Sequence, residues 1–336
     1  MTLHPPSLPT PRGPLSHSLI DALRGAPTKL AGLPCFSGDP RTDDDFQLAL
    51  HVAYELHYRS FRGVADEWEW HPALMAYTAA LETQFERALR ADAGDMAHAD
   101  DLGEALPQLI RDYNGPSLSS YVRESGTLRE VREFAMHRSA YQLKEADPHT
   151  WAIPRLAYGP KAALVLIQSD EYGGGVEERM HSSLFAATMQ AVGLNPTYGA
   201  YVDRLPGVTL ATGNLVTMFG LHRRLRGALV GHLAVFEMTS VIPMERYSQA
   251  LLRLGVAPAA RRFYDVHVEA DAHHELVALH DLAVSLARQE PQLANDILFG
   301  AHALMDVEAR FAEHVLSAWH AGRCSLLDNP ALASTA

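Results

Sequence analysis

The chain has 336 residues, 47% of them hydrophobic, enough to bury the core of one large domain or two small ones. Its 28 Lys and Arg face 40 Asp and Glu, a formal net charge of −12, which leaves no bulk basic surface to hold a nucleic-acid backbone or an anionic membrane. Two cysteines, Cys35 and Cys324, exclude a disulfide framework and a thiolate metal site, so the 18 histidines are the more informative count.

Residues 1–42, beginning MTLHPPSLPTPRG, are rich in Pro, Gly, Ser and Thr without an apolar period, and read as a partly ordered arm. They lack the charged-then-apolar order of a secretory signal, and no apolar run approaches the roughly 20 residues that cross a bilayer. The expectation is a cytoplasmic protein with no membrane partner.

From Asp43 the pattern turns helical. DDDFQLALHVAYELHYRSF places acids at a helix start and repeats Phe46, Leu50, Ala53, Leu56 and His57 at steps of three or four. HPALMAYTAALETQFERALR follows the same logic with Pro72 in a first turn, where its missing amide would have no partner anyway. Further helices are predicted over about 127–145, 155–171, 176–192, 209–240, 244–254, 258–289 and 291–320. Strand alternation, internal repeats and long linkers are lacking. The expected organisation is a single all-α domain over 43–322, preceded by the arm and followed by a short tail, 323–336.

The segment FYDVHVEADAHHE, Phe263–Glu275, carries His267, Asp271 and His274 at i, i+4 and i+7, one face of a helix over two turns. Imidazole with carboxylate is a ligand set for non-haem iron, manganese or zinc. A solvated face of ordinary polar residues explains this stripe equally well on its own; Glu269 and His273 lie off it. In LVGHLAVFEMTSVIP, Glu237 follows an apolar stretch just before Pro243, and a buried carboxylate there needs a metal or a cationic partner such as Arg226. In ALVLIQSDEYGGGVEERMHSSLF, Glu171 and His181 would stand roughly 15 Å apart on an unbroken helix. Gly173, Gly174 and Gly175 can fold the chain back so that both converge, although by themselves they read as a surface turn. Glu178 forms E-x-x-H with His181 as Asp271 forms D-x-x-H with His274, the pairing of ferritin-like diiron bundles, which makes Glu178 the reserve for Glu171. Arg223 and Arg226 share a helical face with Glu237 and could bind a substrate carboxylate, unless HRRLRG is simply an exposed basic segment. His137, Tyr141 and Lys144 share a face in REFAMHRSAYQLKEADPHTW and either line a pocket or pack.

Taken together, Glu171, His181 ten positions later, an isolated Glu237, and His267, Asp271 and His274 in an H-x3-D-x2-H helix resemble the haem-oxygenase-like diiron oxidase and oxygenase family. DEYGGGVEERMHSSLF and FYDVHVEADAHHE are similar to members described as iron-containing redox enzymes, and the similarity spans most of residues 44–320. The resemblance implies a haem-oxygenase-like bundle of about seven core helices, two irons held by those six residues, and ferrous iron reacting with O2. It further implies a small-molecule substrate, an electron donor and a homodimer. The implied reactions are N-oxygenation of an amine-, guanidine- or amino-acid-like metabolite, which is favoured, and desaturation or oxidative carbon–carbon cleavage of an amino or fatty acid. Independently of the family, three carboxylates and three neutral imidazoles nearly balance two ferrous ions in a dry pocket.

Other classes compete with this one. A haem oxygenase needs one axial histidine in a largely apolar cleft, and a thiaminase-type relative needs a core cysteine nucleophile that Cys35 and Cys324 do not provide. A non-catalytic helical metal-binding or iron-storage protein would instead present a saturated site with an acidic entry path.

Overall fold

The computed structural model describes residues 5–30, 32–94 and 101–328, and among them there is no strand. Inside the stretch expected to be a partly ordered arm, Pro14–Leu23 forms a helix, α1, burying Leu15, Leu19, Ile20 and Leu23 against α2 (Asp44–Glu55). Asp43 caps α2 as the acids at its start foretold, accepting hydrogen bonds from the amides of Asp45 and Phe46. Asp45 in turn caps α1, accepting from the amides of Leu15 and Ser16 at 2.8 Å each. The cap of α1 thus comes from thirty residues away, and a local reading of a Pro- and Gly-rich stretch does not contain it.

The chain continues through α3 (Pro72–Ala93), α4 (Leu102–Arg111), α5 (Leu118–Glu124), α6 (Leu128–Gln142), α7 (Asp147–Thr150), α8 (Tyr158–Glu171) and α9 (His181–Ala191). It then forms α10 (Gly207–Leu221), α11 (Arg226–Arg253), α12 (Arg262–Leu276), α13 (Ser285–Gln289) and α14 (Ala294–His320). The short helices α4 and α5 have no counterpart among the predicted elements. Val277–Val284, between α12 and α13, is π-helical.

One predicted boundary is displaced. A helix was expected over 209–240 with a break at Pro243; instead the break lies at His222–Leu225, and α11 runs through Pro243. The reason is long-range. The Arg155 guanidinium donates to the carbonyls of Gly220 and, at 2.9 Å, Leu221, satisfying the end of α10, while Glu82 holds His222 Nε2 at 2.9 Å. Pro243 removes one hydrogen bond from a helix otherwise fixed by packing.

The long helix α11 is the axis of the bundle, packing chiefly on α14 and α12. A Cβ on Gly231 would lie 1.8 Å from the carbonyl oxygen of Ile297, and one on Gly300 1.9 Å from that of Ala228, so the two helices meet backbone to backbone. The stretch Arg223–Arg253 is long and apolar enough, by length and composition, to cross a bilayer, contrary to the expectation that no run would be. Of its most apolar window 67% is buried inside the molecule, as for the central helix of a bundle.

Candidate metal centre

The six side chains singled out above come together inside the bundle. Glu171 is the last residue of α8 and His181 the first of α9. Between them Gly173, Gly174 and Gly175 all take left-handed backbone, with φ of 64°, 62° and 82°, a region glycine enters without steric cost. The chain folds back, and His181 Nδ1 comes to 2.8 Å from Glu171 Oε2. Midway along α11, Glu237 Oε2 lies 3.3 Å from His274 Nδ1, and the same nitrogen is 3.6 Å from Asp271 Oδ1. Arg226, the alternative partner for Glu237, is occupied by Glu290.

A seventh residue joins them. Glu145, in the turn after α6, lies 3.7 Å from His267 Nε2. Two groups result, Glu145, Glu171, His181 and His267, and Glu171, Glu237, Asp271 and His274; within each, one donor atom per residue lies within 4.8 Å of all the others. Glu171 belongs to both. All seven are buried, none more than 8% exposed. Glu178 is exposed in the turn Glu177–Arg179 and takes no part in either group, and Glu269 and His273 are likewise exposed.

Burial pushes the carboxyls of Glu145, Glu171 and Glu237 above their usual range. His181 is driven down to about 4 by burial and by His267 nearby. For His267 and His274 burial opposes charging, but neighbouring acids outweigh it, Glu145 foremost for the first, Asp271 and Glu237 for the second, and raise them to about 10 and about 11. The surrounding acids thus favour the imidazolium form at both positions.

Orphaned atoms test whether a cation fits. Glu171 Oε2, His181 Nδ1, His267 Nε2, Asp271 Oδ1 and His274 Nδ1 are buried without an aligned hydrogen-bond partner among the described residues, including the close pair of Glu171 and His181. Such atoms are costly unless something binds them. The opposite ring nitrogens are bonded in a way that leaves the orphaned ones bare: His267 Nδ1 donates to the Phe263 carbonyl at 2.7 Å, and His274 Nε2 donates to Asp170 Oδ2 at 2.9 Å. This is how metal-binding histidines are oriented. Ser240 donates to Asp271 Oδ2 at 2.6 Å and aims its other oxygen. A space of about 10 Å³, bounded by Tyr141, Glu145, Glu171, Glu237, His267 and Asp271, runs through the groups. Oxygen and imidazole donors without thiolate suit iron or a similar divalent ion.

The remaining candidates lie elsewhere. Both nitrogens of His137 are engaged, Nδ1 with Thr209 Oγ1 at 2.8 Å and Nε2 with Ser325 Oγ at 3.0 Å; with Tyr141 and Lys144 it borders a small space of about 10 Å³ whose walls include none of the seven donors. Lys144 is buried in an ion pair with Glu55. Arg223 is exposed and Arg226 is partly buried against Glu290 at the far end of α11. Tyr141 alone of this set faces the metal groups. Glu145 escaped the sequence because it sits between Lys144 and Asp147 and reads as a polar turn. The available signal was its place four residues after Tyr141, on the same helical face.

Beyond Ser240, Phe236 and Phe263 lies a larger cavity of about 460 Å³ with mainly aromatic and aliphatic walls, reaching the surface beside the exposed loop at 112–117. Gln142 lines it as well and, with its amide turned to donate, reaches Glu145 Oε2 at 2.9 Å.

Residues 132–309, just over half of the chain and including all seven side chains, match the family of iron-containing redox enzymes. A stretch of 122 residues is 28% identical to a nitrosourea synthase from Streptomyces achromogenes subsp. streptozoticus, covering 36% of this chain and 26% of that protein. The chain thus aligns with about a quarter of that relative's length. With an all-helical bundle and buried imidazole and carboxylate groups in place, the chain belongs to the iron-containing redox enzyme family.

Proposed function

We propose that the chain is a non-haem diiron oxygenase that uses O2 to oxidise nitrogen in a small amine-, guanidine- or amino-acid-like metabolite. The observation that carries this reading is the pair of buried donor groups joined by Glu171. Glu145, His181 and His267 would hold one iron, Glu237, Asp271 and His274 the other, with Glu171 between them. Four carboxylates then match the four positive charges of two ferrous ions, a closer balance than three carboxylates provide. When bound, the two ions would supply the electrons for O2 chemistry, and an external donor would restore them.

The protein's own part is position and dryness. Phe236 and Phe263 keep the metal groups apolar on the cavity side, Phe263 at 4.3 Å between ring centroids from His267. Tyr141 offers its phenol to the small space among the carboxylates, where burial and the charges of Glu145, Glu171 and Glu237 keep it protonated and able to donate. A cavity of substrate size against the metal groups favours an enzyme over iron storage, which would be served by an acidic path rather than an aromatic one.

N-oxygenation is preferred to desaturation and carbon–carbon cleavage because the aligned relative is named for a product containing a nitrogen–oxygen bond. The test is to supply ferrous-loaded protein with labelled O2 and a panel of amines, guanidines and amino acids, and to follow products by mass. Incorporation of labelled oxygen on nitrogen is expected. Loss of hydrogen without oxygen incorporation, or loss of a carbon fragment, would replace N-oxygenation with one of the other two reactions.

A further inference from the structure

The larger cavity holds a charged pair that the metal chemistry does not use. Arg138 Nη1 and Nη2 donate to the two oxygens of Glu308 at 2.8 and 2.6 Å, and both residues line the cavity. The guanidinium is fixed over the rings of Phe311 and Phe134, 4.3 and 5.4 Å from their centroids. Its Nε–H makes no hydrogen bond among the described residues, and the outer lone pairs of Glu308 stay free. Tyr247 and Tyr264, in tilted ring contact in series beyond Phe134, are more than nine-tenths buried, line the same cavity, and have no hydrogen-bond partner for their hydroxyls among the described residues. The ion pair and the two phenols are the convergent polar groups of an otherwise largely apolar cavity.

The same helix faces lead from this pair to the metal groups. Arg138 lies on α6 seven residues before Glu145 in the turn that follows it, and Tyr264 precedes His267 by one turn of α12. Between the two ends the walls are Phe185, Phe236 and Phe263, with no charge. A lone carboxylate at the pair would meet Glu308, and a lone amine would meet Arg138; a head group carrying both charges on adjoining atoms satisfies each.

We infer that the cavity is a binding site for an α-amino acid, its carboxylate on Arg138, its ammonium on Glu308 with Tyr247 and Tyr264 in support, and its side chain extended between the phenylalanines toward the metal groups. A planar end group, an aryl ring or a guanidine, suits those aromatic walls. The assignment of the reacting end rests on the diiron reading; the anchoring of the head group does not.

The experiment is equilibrium binding to the full-length protein, metal-free and iron-loaded, with L-tryptophan and L-arginine as the aryl and guanidine arms. Tryptamine and indole-3-propionate lack one charge of the first, agmatine and 5-guanidinopentanoate one charge of the second. Saturable binding of at least one amino acid is expected, weakened at least about tenfold by removal of either charge. Since Arg138→Met alone leaves the partly buried Glu308 without its partner, the variant to use is the double replacement of Arg138 and Glu308 by Met, which can keep the fold. It should lose amino-acid binding while retaining the wild-type iron count and helical circular dichroism. Binding with the metal absent supports the anchor even if the protein fails to take two irons. No saturable binding of either amino acid, equal binding of the singly charged analogues, or unchanged binding in the folded double variant would overturn it.

Discussion

Among the seven buried residues the shared position of Glu171 makes a graded prediction. Glu171→Ala removes a donor from both groups and should abolish uptake of both irons, whereas Glu145→Ala should cost chiefly the iron on His181 and His267. Metal analysis of the purified variants reads this directly, and a Glu145→Ala protein with full iron content would remove Glu145 from the site. Glu178→Ala, at an exposed position, should leave the iron count unchanged; a loss there would restore the ferritin-like arrangement. A second prediction concerns pH. Without metal, His267 and His274 are held protonated by the acids around them, and burial holds Glu171 and Glu237 toward the neutral acid. Iron needs all four deprotonated, so binding releases protons and weakens as pH falls. Titration at about pH 6.5 and about pH 8 should show tighter uptake at the higher value, with proton release in unbuffered solution; pH-independent affinity would contradict that protonation scheme. The convergence of the six residues was legible because a stripe at i, i+4 and i+7 and a triple glycine are local signals. Glu145 was not, because its burial is set by helices packed over a turn that is polar in sequence.

The three glycines between α8 and α9 and the two glycines between α11 and α14 do different work. Gly173→Ala forces a left-handed residue and puts a Cβ 2.6 Å from backbone atoms of Arg179 and Met180. The expected cost is about 1–2 kcal/mol or more, and with it reduced occupancy of the iron on His181, since that histidine is placed by the hairpin. Gly300→Ala should destabilise by about 1–3 kcal/mol by prying α14 from α11, without a selective effect on either iron. Thermal melts combined with metal analysis separate the two; if Gly173→Ala lowered stability yet kept both irons, the hairpin would not be what aims His181. Existence of the long helices followed from apolar periodicity, and the starts of α2 at Asp43 and α3 at Pro72 from local cap signals, whereas other ends did not. The helix α1 is capped by Asp45, and the break before α11 is held by Arg155 and Glu82, partners far away in the chain. Pro243, the strongest local breaker in that region, is overridden by the packing of α11 on its neighbours.

For the whole molecule, a helical bundle encloses two buried donor groups and, against them, an aromatic cavity that opens at the surface. The matched family region contains all of the donors, and the charge of four carboxylates inside a dry interior is the feature that most needs a partner. Two divalent ions would supply it, as the proposed diiron centre requires; one would leave the equivalent of two negative charges to be held by protonation. The most direct measurement is an anaerobic ferrous titration of metal-free protein with iron counted per chain, repeated on Glu171→Ala. Saturation at two irons per chain, lost in the variant, is the expected result. Saturation at one iron, or two irons retained without Glu171, would contradict a diiron centre built on that residue.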